Sequence, residues 1–511
     1  MSNNKNFDHI PQEKFKFVQM DARLHDKKID TKFRSFFQDA MLRFSKNKSS
    51  VVAAWILLFL VVFAILAPVI SPYEITNKDK LYTNCPSYVP AVAKLGIGIM
   101  DGGKVYNSQN EASMAYWRGI AEETGHDPLI KIVDTVTTQV KYRGKMVDRY
   151  TYTIECNRYF ELGCVYRTFS FTEFENIQAW QNETGIQVIY PYVEPSAIND
   201  ITDNPNLWYE VDNKGAAVLD KDGNFTPVYS TRKEIEGAPY NSLRIAGDDG
   251  SYIYSMAKSG AVTCRVSYYD YYHYLNGLEP TYILGTTAMG QDLFCGIGIG
   301  ARFSLIFAII VSAINLSIGA VYGAIQGYYG GMVDMIMERI TDILARVPFI
   351  VVTTLFQLHL AKKVGVIPSL LFAFVLTGWI GMASTVRMQF YRFKGQEYIL
   401  AARTLGASDG RLMFKHIFPN ALGTIVTSSV LVIPGVIFSE SSLTYLGIVN
   451  LDSSTMTSVG TMLANGRQYL QSDPHIILFP ALFISLLEIS FNLFGNGLRD
   501  AFNPALRGSD E

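Results

Sequence analysis

Charge is scarce in this chain of 511 residues: Asp, Glu, Lys and Arg make up 18% against 49% hydrophobic residues, and the mean hydropathy is +0.14. Soluble domains carry about a quarter charged residues. A wholly water-soluble fold is therefore excluded, while the remaining charge is too much for a wholly membrane-buried one. A nucleotide-hydrolysing motif is missing as well. No GxxxxGK[ST] occurs anywhere, so the chain carries no Walker-type ATPase. GIGIGAR, residues 296–302, imitates a phosphate loop, but no strand precedes it. The seven histidines lack metal-ligand spacing and no nucleophile–base constellation is apparent, which removes metal and hydrolase chemistry. Cysteine is sparse too. Cys85, Cys156, Cys164 and Cys264 follow the first apolar run and Cys295 lies near the second, so disulfides and free thiols both stay open.

What the chain does have is long apolar runs. Val51–Ile70 is uncharged and long enough to cross about 30 Å of hydrocarbon. It is too long for a signal-peptide core and follows a long basic arm between Lys14 and Lys48, so it reads as an uncleaved anchor. The same arm needs no nucleic-acid partner, because cations beside a span are what orient it. Phe303–Gly331, Met335–Leu360, Val366–Val386, Ile417–Ser439 (bent at Pro434-Gly435) and Ile476–Leu498 bring the expected spans to six. Six spans place both termini on one side. The arm and the cations Arg387, Arg392, Lys394, Arg403, Arg411 and Lys415 make that side the cytoplasm; Arg302 and Lys362-Lys363 run against the rule.

Glu74–Pro280, where acids outnumber bases, is then an extracytoplasmic domain in its own right. Alternation over Arg149–Ile154 and Gln187–Val193 predicts strands, and Asp222-Gly223 a hairpin turn. Asn107–Thr124 and Phe171–Trp180 predict helices, which makes the domain mixed α/β or mostly β. The Asn182 and Asn224 sequons are too common by chance to carry weight.

Some polar residues fall inside the spans. Asp334, Glu338, Arg339, Asp342 and Arg346 are expected to pair into an internal network with a candidate gating role, Asp342 and Arg346 at the favourable four-residue spacing. Glu488 lies deep in the last run and should be neutral, hydrated or paired with a base such as Arg346; a place on the substrate path is a second reading. Gly319, Gly323, Gly327 and Gly331 recur every four residues, a ridge that lets another helix come close.

The stretch EYILAARTLGASDGRLMFKHIFPNAL, residues 397–422, is basic and helix-prone between two apolar runs. A helix over Gln396–Leu405 would place Ile399, Ala402 and Leu405 on one face with Ala401 beside them. Gly406 ends it in the left-handed conformation. Ser408 or Asp409 can cap a second helix from Gly410 to Phe418, which Pro419 stops or bends. Taken alone this is a docking element or a loop lying along lipid headgroups.

The order Ala401-Ala402, Gly406, Pro419 resembles the EAA loop of bacterial ABC importer permeases. GYYGG (327–331), ARTLGASD (402–409), HIFPNAL (416–422), SLTYLG (442–447) and FNLFGNGLRDAFNP (491–504) fall in the same order as in the C-type permeases of oligopeptide and dipeptide importers. The resemblance covers the last part of the chain and most of the first span. It implies an all-α polytopic membrane protein of six transmembrane helices with the type I ABC importer permease fold, and an inserted mixed α/β or mostly β domain between spans one and two. The expected parts are a cytoplasmic arm (1–48), span one (49–72), the inserted domain (73–282), a core of spans two to six (283–504) with a coupling loop (387–420), and a tail (505–511).

By the same resemblance, Glu397, Leu400, Ala401, Ala402, Arg403, Gly406, Ala407 and Pro419 would couple to a separate ATPase. The implied partners are a second, homologous permease subunit, two ABC ATPase subunits that bind the ATP and magnesium, an extracellular substrate-binding protein received on the outer face (including the loop Glu440–Pro474), a peptide substrate and membrane lipid. The chain itself would hold no cofactor and catalyse nothing, in a bacterial cell membrane with both termini cytoplasmic. Three departures stand out. Leu400 occupies the acidic EAA position, with Glu397 three residues upstream; the family's GTD…GRD appears as Gly285-Thr286-Thr287 and Gly290-Gln291-Asp292; and the outer domain is far longer than in common members. Importers of nickel, glutathione or sugar oligomers share the architecture, and a membrane sensor or anchor is the reading outside transport.

Overall fold

Span one forms where the uncharged run demands it, as a helix over Lys48–Ile70 whose first turn is capped by the Asn47 side chain, which accepts from the Ser50 N–H. In this computed structural model residues 36–142, 145–190, 260–453 and 456–502 are described, with the isolated positions 206, 218–219, 221 and 255–256. Pro68 sits inside span one and lacks the N–H that would satisfy the carbonyl of Ala64. Arg302, the cation that breaks the charge rule, supplies a donor there: Nε reaches Ala64 O at 3.4 Å and Nη2 reaches Ile65 O at 2.9 Å. Its position answers a proline, not a topology.

Among the described residues five helices are long and apolar enough to cross a membrane: Lys48–Ile70, Leu293–Tyr329, Val366–Lys394, Asp409–Tyr445 and His475–Phe502. A sixth crossing exists if Gly331–Ala345 and Phe349–His359, bent by 70°, count as one broken span. The straight helix expected over Met335–Leu360 is thus corrected. Pro348 disfavours helical backbone at Val347 before it, and the chain turns there. Span two starts earlier than expected because Asp292 caps it, accepting from the N–H groups of Phe294 and Cys295 at 3.2 Å each; GIGIGAR is therefore helix. Span five also starts early. Asp409–Arg411 leads through a π-helical stretch, Leu412–Ile417, into Phe418–Val430, so no separate second helix ends at Phe418. Pro419 sits inside this continuous helix, directly after the π-helical stretch, so it does not stop it.

Span two is the central helix, and its glycines meet the second half of span four, Ile380–Lys394. A Cβ on Gly319 would lie 2.8 Å from Met382 Cβ, on Gly323 2.2 Å from Ala383 O, and on Gly327 2.7 Å from Arg387 O. Gly331 leaves this ridge. With Gly330 it has positive φ (+54° and +68°), nothing lies within 4 Å of its Cβ position, and it turns the chain into the broken span.

The segment expected as an amphipathic outer loop, Glu440–Pro474, is largely built into the bundle. Glu440 belongs to the helix Val432–Tyr445, is fully buried, and accepts from Ser304 Oγ of span two at 2.8 Å. The short helix Val459–Gly466 is seated by two glycines: a Cβ on Gly300 would lie 2.9 Å from Val459 N, and one on Gly460 2.5 Å from Ser441 Cα. A hydrophobic period alone does not distinguish such an inserted helix from a surface one.

Between spans one and two stands a mixed α/β unit. Strands β1 (Gly103–Gln109), β2 (Leu129–Tyr142) and β3 (Lys145–Asn157) form an antiparallel sheet in the order β1-β3-β2. Strands β4 (Cys164–Phe169), β5 (Ile189–Tyr190), β6 (Ser255–Met256) and β7 (Val262–Ser267) form a second, ordered β4-β7-β5 with β6 also on β7. The helix expected over Asn107–Thr124 begins at Glu111, because Asn107–Gln109 continues β1 and Asn110 caps the helix by accepting from Ser113 N–H at 2.9 Å. The helix expected from Phe171 runs to Thr184. Residues 191–193, Asp222-Gly223 and Asn224 lie outside the described residues.

The altered GTT…GQD segment is where this unit meets the spans. Gly285 has φ +86° and a Cβ there would lie 2.4 Å from Cys85 O, so only glycine fits. Thr286 Oγ1 accepts from Cys85 N–H at 2.8 Å, Gln291 Nε2 donates to Ile75 O at 2.8 Å, and Ser71 Oγ donates to Asp292 at 2.6 Å. Lys104 of β1 pairs with Asp473, just before span six, at 2.7 Å.

All five cysteines are free and buried, which settles the open choice in favour of thiols. Burial pushes the thiols of Cys85, Cys156 and Cys264 up to about 12. A raised thiol pKa leaves almost no reactive thiolate near neutral pH. Maleimide at pH 7.5 should therefore leave these three unlabelled in the native protein and label them once it is unfolded, as peptide mass spectrometry would read. The same unit holds a fully buried pair, Arg265 with Glu123, at 2.9 and 3.2 Å. Arg265→Met strands the carboxylate and should cost about 3–5 kcal/mol. Adding Glu123→Leu should restore most of that loss in chemical unfolding of the chain.

Candidate functional site

The basic stretch folds as a helix over Glu397–Thr404, with Gln396 extended before it and Leu405 as its C-cap. Gly406 follows at φ +87°, a backbone conformation that costs an L side chain about 1–2 kcal/mol. Ile399 is the anchor of the helix. It is fully buried in a cluster with Phe390, Leu412, Met413 and Ile417, against which Ala402 and Ala407 are partly packed. Leu405 does not share that face, contrary to the heptad-like spacing. The helix has already ended at Thr404, so Leu405 swings outward and is 88% exposed. Leu400 is 49% exposed, and Glu397, Ala401 and Arg403 are exposed beside it. Pro419 lies at the root of span five, and is exposed.

Span two holds the far side of the loop through one tyrosine. Tyr328 Oη donates to Asp409 Oδ1 at 2.5 Å and accepts from Arg403 Nη2 at 3.1 Å. The Arg403 guanidinium also stands 5.7 Å from the Tyr328 ring centre, a cation–π distance. Tyr398 accepts from Asn420 Nδ2 at 3.3 Å, which ties the exposed side of the helix to span five. The loop helix is thus held at both of its ends while an apolar knob projects away from the bundle.

The expected charge network exists around a different cation. Asp334 pairs with Arg387 of span four at 2.7 Å, and Arg387 Nη1 lies 3.1 Å from Glu338 Oε2. Tyr391 Oη donates to Asp334 at 2.5 Å and Gln326 Nε2 to Glu338 at 2.6 Å. Lys394 Nζ donates to Gly327 O at 3.0 Å. Spans two and four and the start of the broken span are thus joined over Arg387–Lys394, the stretch that leads into the loop helix at Glu397. Asp342 pairs with Arg339 at 3.2 Å in an exposed contact, not with Arg346. Arg346 falls beyond the last helical residue, Ala345, and has no ion-pair partner among the described residues. Glu488 is half-buried, no base pairs with it among the described residues, and its Oε1 accepts no hydrogen bond. Arg346 is therefore not its counter-ion. Tyr328, Gln326, Arg387 and Tyr391 were invisible as site residues in the sequence: each acts through a partner 12 to 81 residues away, and no spacing rule announces that.

A loop helix that leaves the bundle between spans four and five, with its flanking spans, lies inside the match of the family model for binding-protein-dependent transport system inner membrane components, which covers residues 318–508. A second model, for the N-terminal TM domain of oligopeptide transport permease C, covers residues 35–87. The oligopeptide transport system permease protein OppC of Bacillus subtilis is 41% identical over 246 residues, 47% of this chain and 79% of that protein. This chain belongs to that permease family. The dipeptide transport system permease protein DppC of Bacillus subtilis is 38% identical over 44% of this chain and 68% of its own. OppC of Haemophilus influenzae is 36% identical over 44% and 71%. Among solved structures, the methionine ABC transporter in inward-facing conformations aligns with 40% of this chain and 94% of its own at TM-score 0.31 and 15% identity, too loose a likeness to build on. The family models meet neither β1–β7 nor the helices among them, which lie between residues 88 and 317. The permease is a multi-pass membrane protein, in keeping with its five or six apolar helices.

Proposed function

We propose that this permease is a translocating subunit of an ATP-driven importer of oligopeptides or dipeptides. The single observation that carries the mechanism is the tethered loop helix with Leu405 exposed at its end. In this reading a partner ATPase receives Leu400, Ala401 and Leu405, while ATP and magnesium stay in the two ATPase subunits. The chain performs no chemistry; it binds and moves. Force on the helix passes through buried Ile399 to the base of span five, and through Arg403 and Tyr328 to span two. Because the Arg387–Asp334 pair binds span four to the broken span, these helices shift as a body and not singly. A second, related permease completes the path, with both termini cytoplasmic. The α/β unit then faces outside with the substrate-binding protein.

The cargo has one specific competitor. The glutathione transport system permease protein GsiD of Pectobacterium atrosepticum is 32% identical over 78% of its length. Glutathione is itself a short peptide, and competition for uptake by the reconstituted complex separates it from longer ones. The mechanical reading is tested by cross-linking from Ala401→Cys, an exposed position. Capture of an ATPase subunit in working complexes supports it. Normal uptake with no ATPase captured from this position or from Leu400→Cys would sink it.

A further inference from the structure

Strands β2 and β3 extend well past the sheet they belong to. β1 pairs with β3 only between Tyr152 and Asn157, so the ladder from Thr135–Tyr152 to Tyr142–Lys145 is a ribbon of two strands. At about 3.3 Å per residue the ribbon reaches some 25 Å beyond β1. A lone two-stranded hairpin is marginal in water, and this one leaves large apolar groups in solvent on both faces. Val136, Val140, Met146 and Tyr150 are between 38% and 61% exposed. Among the described residues no strand pairs with the outer edge of β2; near its start Asp127 and Asp134 accept from the N–H groups of Leu129 and Thr135, and beyond them the edge is open toward the tip. Such a ribbon is built to be covered.

Its charge says by what. Residues 135–150 carry four cations and one acid, whereas acids outnumber bases in Glu74–Pro280 as a whole. By register Val136, Thr138 and Val140 share a face with Arg149 and Thr151, and no acid lies on that face between them. Lys141 sits on the opposite face and both cations are exposed. A free strand edge with apolar and basic side chains fits a protein surface that offers a strand or rim bearing carboxylates. Lipid headgroups offer the charge but no strand.

We propose that the β2–β3 hairpin is a docking arm for an acidic face of the importer's substrate-binding protein. This rests on the importer reading above and names the element and chemistry of that contact. The arm is also wired to the spans. Lys104 of β1, opposite Cys156 at the root of β3, holds Asp473 at 2.7 Å immediately before span six. A load on the arm therefore reaches a membrane helix through one ion pair.

The test uses the whole importer in lipid nanodiscs and its purified binding protein. One variant is the double reversal Lys141→Glu, Arg149→Glu. A second deletes residues 139–148 and joins Thr138 to Arg149 through Asn-Gly, a turn that keeps the register. Affinity of the wild type should fall as salt rises, and each variant should bind about tenfold more weakly and the reversal should lose that salt dependence. Unchanged affinity in both variants overturns the arm while leaving the importer intact. Should the variants lose only adsorption to vesicles containing phosphatidylglycerol, the arm is a lipid contact and the proposal is wrong. If no binding protein engages even the wild type, the importer reading fails and takes this one with it.

Discussion

Gly323→Leu should remove the folded permease from the membrane. The Cβ alone would stand 2.2 Å from the carbonyl oxygen of Ala383 and 2.9 Å from Val386 Cβ. Helical backbone cannot yield by that much without separating the two spans. Gly319 and Gly327, a turn away on either side, leave only 2.8 and 2.7 Å for a Cβ, so the spans cannot pivot around the insult. In lipid no hydrophobic force presses helices together, and association depends on close packing. Overpacking one methylene at a time costs about 1–3 kcal/mol, and leucine adds four carbons at a backbone contact. The damage would spread to Arg387 and Asp334, which belong to the same seam. The control is Gly435→Leu in span five, where nothing lies within 4 Å of the Cβ position. Fluorescence-detected size exclusion should show a monodisperse peak for Gly435→Leu and little or none for Gly323→Leu. Equal peaks would mean that the span two–span four seam is not closed in the membrane.

Leu405→Glu should do the opposite: leave the fold intact and abolish uptake. The side chain is 88% exposed and makes no packing contact that the fold needs. An apolar knob at the tip of a fixed helix is what a partner's pocket takes, and such anchors are worth about 2 kcal/mol or more, some thirtyfold in affinity. A carboxylate there must be desolvated on docking, which adds to the loss. Thermal unfolding in detergent should match the wild type, while the ATPase subunits fail to co-purify and transport stops. Ile399→Glu gives the contrast, since it buries a charge in the cluster around Met413 and should lower stability as well. If Leu405→Glu keeps its ATPases and transports normally, the docking face lies elsewhere on the chain.

Most of the fold's vocabulary is local and was legible. Runs without charge become membrane-length helices because an unbonded backbone cannot sit in hydrocarbon. Gly406 turns left because its lack of a Cβ removes the penalty that other residues meet. Asn110 and Asp292 cap helices within three residues of themselves, a local signal that was passed over, so that both helix starts were misplaced. Elsewhere, where sequence reasoning missed, the missing information was a distance along the chain. Asp342 was matched with Arg346 by a four-residue rule, yet the helix stops first. Leu405 was placed with Ile399 by the same periodicity, yet the turn takes it outward.

Sequence alone determined that this chain spans a membrane several times, carries no nucleotide motif, and interrupts its spans with a helix closed by glycine. Tertiary structure alone decided that Arg387, 53 residues beyond Asp334, closes the charge network, that Tyr328 clasps Arg403 and Asp409, that Glu440 is buried in the bundle, and that Lys104 ties an inserted sheet to span six. The reason is one of range. Caps, breaks and hydrophobic runs are set by energies between neighbours in the chain, whereas a buried charge accepts whichever partner the packed helices carry to it.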